Sequence, residues 1–180
     1  MVKCFVMLPC YNEERNLERL IPSINKALHT HMPYQIIAVD DGSTDETNGI
    51  LYKLSEKYPI MVVEHKRNSG LASAFRTGLN LAMEHASAED LIVTMDADNT
   101  HDPEYITHLA DEAKRSEVVV SSRYTNGGRQ LHVASYRVAL SRVLNLFIRI
   151  LARVPVKDAT SGYRCYRASA LRKAMQVFGE

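Results

Sequence analysis

Two pairs of aspartates follow apolar runs of the sequence. Asp40 and Asp41 come directly after one run, and Asp96 and Asp98 come after another. Side chains two residues apart in an extended chain point to the same side, so Asp96 and Asp98 can act on one ligand together. Mg²⁺ and Mn²⁺ prefer carboxylate oxygens and keep coordination positions open for the oxygens of a diphosphate. The pattern therefore predicts a divalent metal site in this segment, beside a second acidic segment, with one carboxylate on the metal and the other on a ribose hydroxyl or a metal-bound water.

Helix capping explains some nearby acidic residues but not these two. Acidic side chains before a helix complement its dipole, which accounts for Asp45 and Glu14. It does not account for Asp96 and Asp98, because Asp102 already stands before the next helical segment. Several carboxylates on one edge repel each other unless a cation or a donor-rich ligand joins them.

Short apolar runs alternate with segments of helical periodicity. The predicted strands are residues 2–8, 35–39, 60–64, 91–95 and 117–121, and the predicted helices are residues 13–28, 44–57, 70–85 and 103–114. Strands that are apolar almost throughout are typical of a parallel sheet covered on both faces. The alternation predicts an open, mostly parallel α/β sheet flanked by helices. Ligands of such sheets bind at the carboxyl ends of the strands, where the aspartates stand.

The composition indicates one soluble globular domain. The 180 residues are 46% hydrophobic, and 22 basic against 21 acidic residues give a net charge of +1. That balance argues against broad nucleic-acid binding. Three cysteines at unrelated spacings exclude a disulfide framework and suit a reducing, cytoplasmic setting. No stretch approaches the roughly 20 apolar residues of a membrane span, so we expect a soluble chain.

Four motifs stand in a recognisable order along the chain: LPCYNE at residues 8–13, VDDGSTD at 39–45, NSGLA at 68–72 with Gly78, and MDAD at 95–98. This order resembles that of the family-2 glycosyltransferases with the GT-A fold. Three more segments are similar to the polyprenyl-phosphate branch, which includes the dolichol-phosphate mannosyltransferases: DNTHDPE at 98–104, SSRY at 121–124 and TSGYRCYR at 160–167. The resemblance runs from Val2 to about Lys173 and implies a single nucleotide-diphospho-sugar transferase domain over residues 1–180.

The resemblance also implies roles for individual positions. It places at the nucleotide pocket Pro9, Tyr11, Glu13, Val39 and either Asp40 or Asp41, without deciding which of that pair contacts the base. Asp96 and Ala97 would meet the ribose and diphosphate, and Asp98, with Asp96, would hold Mg²⁺ or Mn²⁺. The implied catalytic residues are Asp96, Asp98 and Arg123.

Two parts of the motifs leave alternatives open. Relatives often have glutamine where this chain has Thr100, a poorer metal ligand, so water can fill that coordination position. The small residues of 68–78 either let a loop approach the nucleotide or serve close helix packing through Gly70, Ala72 and Ala74.

The acceptor side is inferred from arginines. Arginine binds phosphate bidentately, and Arg137 and Ser141 lie one helical turn apart. By resemblance, Arg123, Arg137 and Ser141 bind the phosphate of a polyprenyl or dolichyl phosphate, whereas the alternative is solvated surface side chains. Residues 136–153 place basic and apolar side chains on opposite arcs, which fits a helix in a membrane interface or one packed on the core. We expect a cytoplasmic protein that is peripheral to the cytoplasmic face of a membrane.

The resemblance implies an inverting transfer of mannose or glucose from a GDP- or UDP-sugar. A lipid phosphate has a second pKa of about 6, so it is ionised at neutral pH and needs no general base. Positioning and charge then support a single in-line displacement. No covalent nucleophile is assigned, and the seven histidines and three cysteines are interpreted as packing or surface residues.

Three other functions are alternatives. Nucleotidyl transfer uses a similar sheet but favours a basic, glycine-rich loop where this chain has residues 9–13. Transfer to a sugar hydroxyl needs a carboxylate base, for which Asp158 is the local candidate. An inactive nucleotide-sugar-binding module is the third, because relatives continue beyond the Gly162-Tyr163-Arg164 motif with further elements. The sequence is therefore expected to be either a piece of a longer protein or a minimal version.

Overall fold

The computed structural model describes residues 1–122, 158 and 161–178. Within these ranges the chain forms six strands and five helices. In chain order they are β1 (Cys4–Cys10), α1 (Glu14–Leu28), β2 (Tyr34–Asp40), α2 (Thr47–Ser55), β3 (Ile60–Glu64), α3 (Leu71–His85), β4 (Leu91–Thr94), α4 (Tyr105–Glu112), β5 (Val118–Val120), β6 (Arg164–Arg167) and α5 (Ala168–Phe178). Of the helices in these ranges, none has the length and apolar character needed to span a bilayer.

The strands form one sheet in the order β3-β2-β1-β4-β6-β5. β1 to β4 are parallel, and β6 runs antiparallel to its neighbours β4 and β5. β1 lies between β2 and β4, with Cys10 opposite Asp40 and Met7 opposite Thr94. The carboxyl ends of these three strands therefore meet at one edge. The predicted open, mostly parallel α/β sheet flanked by helices is confirmed.

β1 is buried along its whole length because helices cover both faces of the sheet. Alternate residues of a strand point to opposite faces, so β1 supplies two cores. Val6 and Leu8 pack in the core shared with α1, α2 and α4, whereas Phe5 packs with α3 and α5. Helix α1 buries one face with three- and four-residue spacing, through Leu17, Leu20, Ile21, Ile24 and Leu28.

Small residues let α3 approach the sheet closely. Ala74, Gly78 and Ala82 are buried at every fourth position. A Cβ at Gly78 would lie 2.7 Å from Met7 Cγ, so any other residue would force the Met7 side chain to move. The packing interpretation of residues 68–78 therefore holds for Ala74, whereas Ala72 is exposed.

β6 and α5 are elements that the sequence patterns did not predict. Only Cys165 is fully buried in β6, and the arginines at both ends of the strand are half-buried. Arg164 Nε donates to the Ser161 carbonyl at 2.7 Å, and Arg167 Nη2 donates to the Ala113 carbonyl at 2.7 Å. β6 therefore lacks the apolar run by which the other strands were predicted, because it begins and ends with an arginine.

Candidate active site

A cavity of about 300 Å³ opens at the carboxyl edge of β1, β2 and β4. It is lined by Pro9, Cys10, Tyr11, Glu13, Asp41, Asn68, Gly70, Leu71, Ala74, Asp96, Ala97 and Asp98. Most of the residues predicted for the nucleotide and metal sites are thus brought to one place. The two predicted residues that do not belong to this lining are Val39 and Asp40, which are buried.

Asp40, the last residue of β2, and Asp41, which follows it, are both buried but have different surroundings. Asp40 is 1% exposed, and its carboxylate accepts hydrogen bonds from the Ser43 N–H at 3.0 Å, the Ser43 hydroxyl and Asn48 Nδ2 at 3.0 Å. These bonds fix the turn into α2. Asp41, in contrast, lines the cavity. The structure therefore gives Asp40 a place in the loop and Asp41 a place at the candidate site.

Asp41 is held by three donors from the loop that precedes α3. His65 Nδ1 lies 2.6 Å from Asp41 Oδ1, and the Ser69 N–H donates to the same oxygen at 3.0 Å. The Gly70 N–H donates to Oδ2 at 2.8 Å. Burial alone would raise the pKa of Asp41, but these hydrogen bonds outweigh burial and hold the pKa below its usual value. Asp41 is therefore a fixed, ionised acceptor.

Two residues with positive φ bring the loops at this edge of the sheet together. Asn12 has a φ of 57°, donates its N–H to Ser43 Oγ at 3.0 Å and accepts the Thr44 N–H at 2.9 Å. Gly42 has a φ of 68°, and a Cβ there would overlap the backbone of Arg67. Glycine at this turn therefore lets the loop before α3 reach Asp41.

The capping interpretation is confirmed for the neighbouring acids. Asp45 Oδ2 accepts the Glu14 N–H at 3.3 Å, and Glu14 Oε2 accepts the Glu46 N–H at 3.2 Å. Asp102 Oδ1 accepts the Glu104 N–H at 3.0 Å, one residue before α4 begins. These side chains satisfy helix N-termini, so they are not candidates for ligand binding.

A tight turn presents Asp98 to the cavity. Asp98 Oδ1 accepts the Thr100 N–H at 3.0 Å and the Thr100 hydroxyl at 2.6 Å. Asn99 has a φ of 59°, and its side chain donates to Asn16 Oδ1 at 3.0 Å. Within the described residues, Asp98 Oδ2 accepts no hydrogen bond. Thr100 thus orients the exposed carboxylate of Asp98 and leaves one oxygen for a ligand.

The carboxylates around Asp98 are poorly compensated. Burial raises the pKa of Asp96; His101 opposes the rise and Asp98 adds to it. Burial also raises the pKa of Glu13, whose carboxylate accepts a hydrogen bond from Asn16 Nδ2 at 2.6 Å. Asp98 and Asp96 raise the Glu13 pKa further. Added positive charge would stabilise all three carboxylates.

Asp96 and Asp98 can hold a divalent cation only if a ligand or water supplies the remaining coordination positions. In the part of the chain that the structure describes, no three His, Cys, Asp or Glu side chains gather closely enough to hold a metal. Mg²⁺ commonly binds through one or two carboxylates and takes its other oxygens from phosphate and water. Asp96 and Asp98 match that donor set, and the repulsion of Asp98 contributes to the raised pKa of Asp96.

The segment around Gly162 supports Asp96 from the neighbouring strand. The Asp96 N–H donates to His101 Nδ1 at 3.2 Å, and the His101 ring stacks on Tyr163 with 4.7 Å between centroids. The Tyr163 hydroxyl donates to the Asp102 carbonyl at 2.9 Å. A Cβ at Gly162 would lie 3.4 Å from Asp96 Oδ1, so Gly162 stands directly beside the Asp96 carboxylate.

The residues predicted for the acceptor lie outside the described part of the chain. They are Arg123, Arg137, Ser141 and the helix at residues 136–153. Asp158, the candidate base for hydroxyl transfer, is described and is 0% exposed. It does not belong to the cavity lining given above.

Sequence reasoning missed the contribution of two histidines. The cysteines are all buried, as their packing interpretation predicted. His65 and His101, however, hydrogen-bond to Asp41 and to the Asp96 backbone. The signal that finds His65 is the sheet register: Asp40 lies opposite Glu64 in β3, so the next residues, Asp41 and His65, are also neighbours.

Comparisons with known proteins identify a matching family and similar relatives. Residues 5–175 match the family described as Glycosyl transferase family 2. The chain is 37% identical over 169 residues to a dolichol-phosphate mannosyltransferase of Pyrococcus furiosus, covering 92% of this chain and 46% of that protein. It is 31% identical over 174 residues to a polyprenol monophosphomannose synthase of Mycolicibacterium smegmatis, covering 95% and 64%. The chain spans less than two thirds of the length of either relative.

The fold is similar to that of solved GT-A glycosyltransferases. One is glucosyl-3-phosphoglycerate synthase from Mycobacterium tuberculosis, in complex with Mn²⁺, UDP and glucosyl-3-phosphoglycerate. The TM-score is 0.67 at 20% identity, covering 93% of this chain and 57% of that one. At such identity the similarity shows a shared fold.

Proposed function

The chain belongs to glycosyl transferase family 2, and from that membership we propose that it transfers mannose or glucose from a GDP- or UDP-sugar to a polyprenyl or dolichyl phosphate. The observation that carries the proposal is the cavity that combines Asp41, a fixed hydrogen-bond acceptor, with the poorly compensated carboxylates Asp96 and Asp98. The first feature suits a nucleobase, and the second suits a cation-bound diphosphate. The printed names of the two relatives, a dolichol-phosphate mannosyltransferase and a polyprenol monophosphomannose synthase, support the acceptor class.

In this proposal the base of the donor lies on the Asp41 side of the cavity. The Asp41 carboxylate accepts a hydrogen bond from an N–H of the base, because it is ionised and fixed in place. Tyr11 lines the same cavity and is 44% exposed, so its ring can stack on the base. Pro9 and Ala97 complete the apolar wall, and the Asp96 carboxylate accepts from a ribose hydroxyl.

Mg²⁺ or Mn²⁺ is proposed at Asp98, with Asp96 as its neighbour. Thr100 keeps one oxygen of Asp98 engaged and so directs the other towards the ligand. When bound, the cation neutralises the charge that develops on the leaving diphosphate. The M. tuberculosis enzyme named above was solved with Mn²⁺ and UDP, which supports the choice of ion.

The acceptor in this proposal is a phosphate monoester, which attacks the anomeric carbon and inverts it. Because such a phosphate is largely ionised at neutral pH, the chain needs no general base. Transfer to a sugar hydroxyl would instead need a carboxylate base, for which Asp158, at 0% exposure, is the local candidate. We assign the phosphate to Arg123, Arg137 and Ser141, and we place the protein at the cytoplasmic face of a membrane, with residues 136–153 at the interface.

The test is transfer of radiolabelled sugar from GDP-mannose or UDP-glucose to a polyprenyl phosphate in Mn²⁺, followed by organic extraction. We expect label in the lipid fraction, and we expect EDTA or an unphosphorylated polyprenol to prevent it. Equal transfer to the unphosphorylated alcohol would contradict the acceptor assignment. Donor binding without transfer to any acceptor would indicate the nucleotide-sugar-binding module instead.

A further inference from the structure

His65 connects the cavity to the middle of helix α3. It follows β3 directly, and its Nδ1 lies 2.6 Å from Asp41 Oδ1. Its Nε2 lies 2.9 Å from the Thr77 hydroxyl on α3. The side chains of His65 and Asp41 are 15% and 4% exposed, so water competes little for either. The three side chains therefore form a continuous hydrogen-bonded chain, Thr77–His65–Asp41.

This chain determines which ring nitrogen of His65 carries a proton. A carboxylate only accepts, so Nδ1 must be the donor towards Asp41. In the neutral imidazole Nε2 is then an acceptor, and the Thr77 hydroxyl is its donor. Thr77 thus favours the tautomer that Asp41 requires.

The hydrogen bonds also determine what Asp41 can still accept. An ionised carboxylate has about four acceptor positions. Oδ1 accepts from His65 and from the Ser69 N–H, and Oδ2 accepts from the Gly70 N–H. Within the described residues, one position remains, on Oδ2 of a residue that lines the cavity. It suits a single N–H donor.

We propose that His65 is a positioning residue that acts through Asp41, with Thr77 behind it, and that this chain selects nucleotides whose base carries a ring N–H. The inference rests on the proposed nucleotide-sugar function. Uracil and guanine each have such a donor beside a carbonyl group. The corresponding ring nitrogen of cytosine is an acceptor, which the fixed Asp41 carboxylate repels.

Calorimetric titration of the full chain with UDP, GDP and CDP in Mn²⁺ tests this inference. The parent is expected to bind UDP or GDP and to discriminate against CDP. His65→Leu should weaken the preferred nucleotide by about tenfold, the effect of one buried hydrogen bond to a charged group. It should also reduce the discrimination against CDP, which a merely structural role would leave unchanged. Thr77→Val should do the same to a smaller extent.

A pair of polar variants separates hydrogen bonding from folding. The amide N–H of asparagine can occupy the place of Nδ1, whereas that of glutamine reaches the place of Nε2. His65→Asn should therefore keep the discrimination against CDP, and His65→Gln should lose it, at similar thermal stability. His85→Asn and His85→Gln, at the exposed end of α3, are the matched controls and should bind as the parent does.

The outcomes distinguish the two proposals. If the parent binds no nucleoside diphosphate, the proposed function is wrong and this inference fails with it. If the parent discriminates against CDP but His65→Asn and His65→Gln bind alike, the proposed function stands and the role of His65 is overturned.

Discussion

The proposed base side of the cavity, around Asp41, and the proposed metal side, around Asp96 and Asp98, differ in how far groups of the chain itself stabilise their carboxylates. On the base side, Asp41 accepts hydrogen bonds from His65, Ser69 and Gly70, which hold its pKa below the usual value. On the metal side, Asp96 and Glu13 have raised pKa values because burial and neighbouring carboxylates disfavour their charge. On the first side, the chain's own donors stabilise the carboxylate without a ligand. The second is complete only with added positive charge.

In the proposed function, this difference lets one cavity serve two parts of a nucleotide. A base needs a rigid acceptor in the right place, and rigidity comes from hydrogen bonds within the protein. A diphosphate brings its own negative charge, so its site needs a cation, and the carboxylates that bind the cation repel each other without it. The following variants test the two sides separately, in order of decreasing expected effect.

Asp98→Asn should produce the largest change, on the metal side alone. Transfer activity in Mn²⁺ should fall more than about 100-fold, because the charge stabilisation supplied by a catalytic metal is worth several kcal/mol. Binding of UDP or GDP in EDTA should be nearly unchanged. Asp111→Asn, at an exposed carboxylate on α4, is the matched control. Equal activities of Asp98→Asn and the parent in Mn²⁺ would remove Asp98 from the metal site.

Gly42→Ala should destabilise the turn that brings the loop before α3 to Asp41. The residue has positive φ, and a Cβ would overlap the Arg67 backbone. We expect the free energy of unfolding to fall by about 1–3 kcal/mol, measured by urea titration. Gly49→Ala is the control, because its Cβ would lie 3.6 Å from the nearest atom and alanine favours a helix. Equal stability of Gly42→Ala and the parent would show that the turn tolerates a side chain.

Thr100→Val should have a moderate effect on the metal side. It removes the hydroxyl that donates to Asp98 Oδ1 and leaves the backbone donor in place. Mn²⁺-dependent nucleotide binding should weaken by about tenfold, as expected when a residue that orients a metal ligand is lost. Thr107→Val on α4 is the control, because the Thr107 hydroxyl donates to the Glu104 carbonyl, away from the cavity. An unchanged Mn²⁺ affinity would mean that Asp98 is oriented without Thr100.

Asp96→Asn should cause the smallest change, which is a change in stability. Asp96 and Asp41 contribute to the pH dependence of stability with opposite signs. Asp41 has a lowered pKa, so the stability it contributes is full above the ordinary aspartate pKa and is lost as pH falls towards the lowered value. Asp96 has a raised pKa, so the folded chain loses stability as pH rises from the ordinary aspartate value through the raised one. Asp96→Asn removes that loss.

In EDTA at pH 7, Asp96→Asn should therefore be more stable than the parent. The gain should stay below about 1 kcal/mol, because the Asp96 side chain is 41% exposed and water screens its interactions. Urea unfolding at about pH 4 and pH 7 measures the difference. A variant that is less stable than the parent at pH 7 would contradict the account of this side.

The sequence predicted the strand ends and most of the cavity because both depend on local patterns. Apolar runs located β1 to β5, and the motifs that follow them supplied Tyr11, Glu13, Asp96 and Asp98. The choice between Asp40 and Asp41 could not be made in this way. The two residues are adjacent, and only the loop before α3, which contacts Asp41, distinguishes them.

His65 and β6 were missed for a related reason. The role of His65 depends on the pairing of β3 with β2, which places it beside Asp41, and nothing in its own segment indicates that neighbour. β6 is a half-buried strand with an arginine at each end, and its place in the sheet is set by its pairing with β4 and β5. Contacts between distant segments decide both features.

Binding of a nucleoside and of its diphosphate, each measured in Mn²⁺ and in EDTA, tests the difference between the two sides most directly. Uridine or guanosine engages only the base side, so its affinity should be the same in both conditions. UDP or GDP engages both sides, so its affinity should fall by more than about tenfold in EDTA, a loss above 1.4 kcal/mol. A nucleoside diphosphate that binds equally well without metal would contradict the account, as would a nucleoside that requires it.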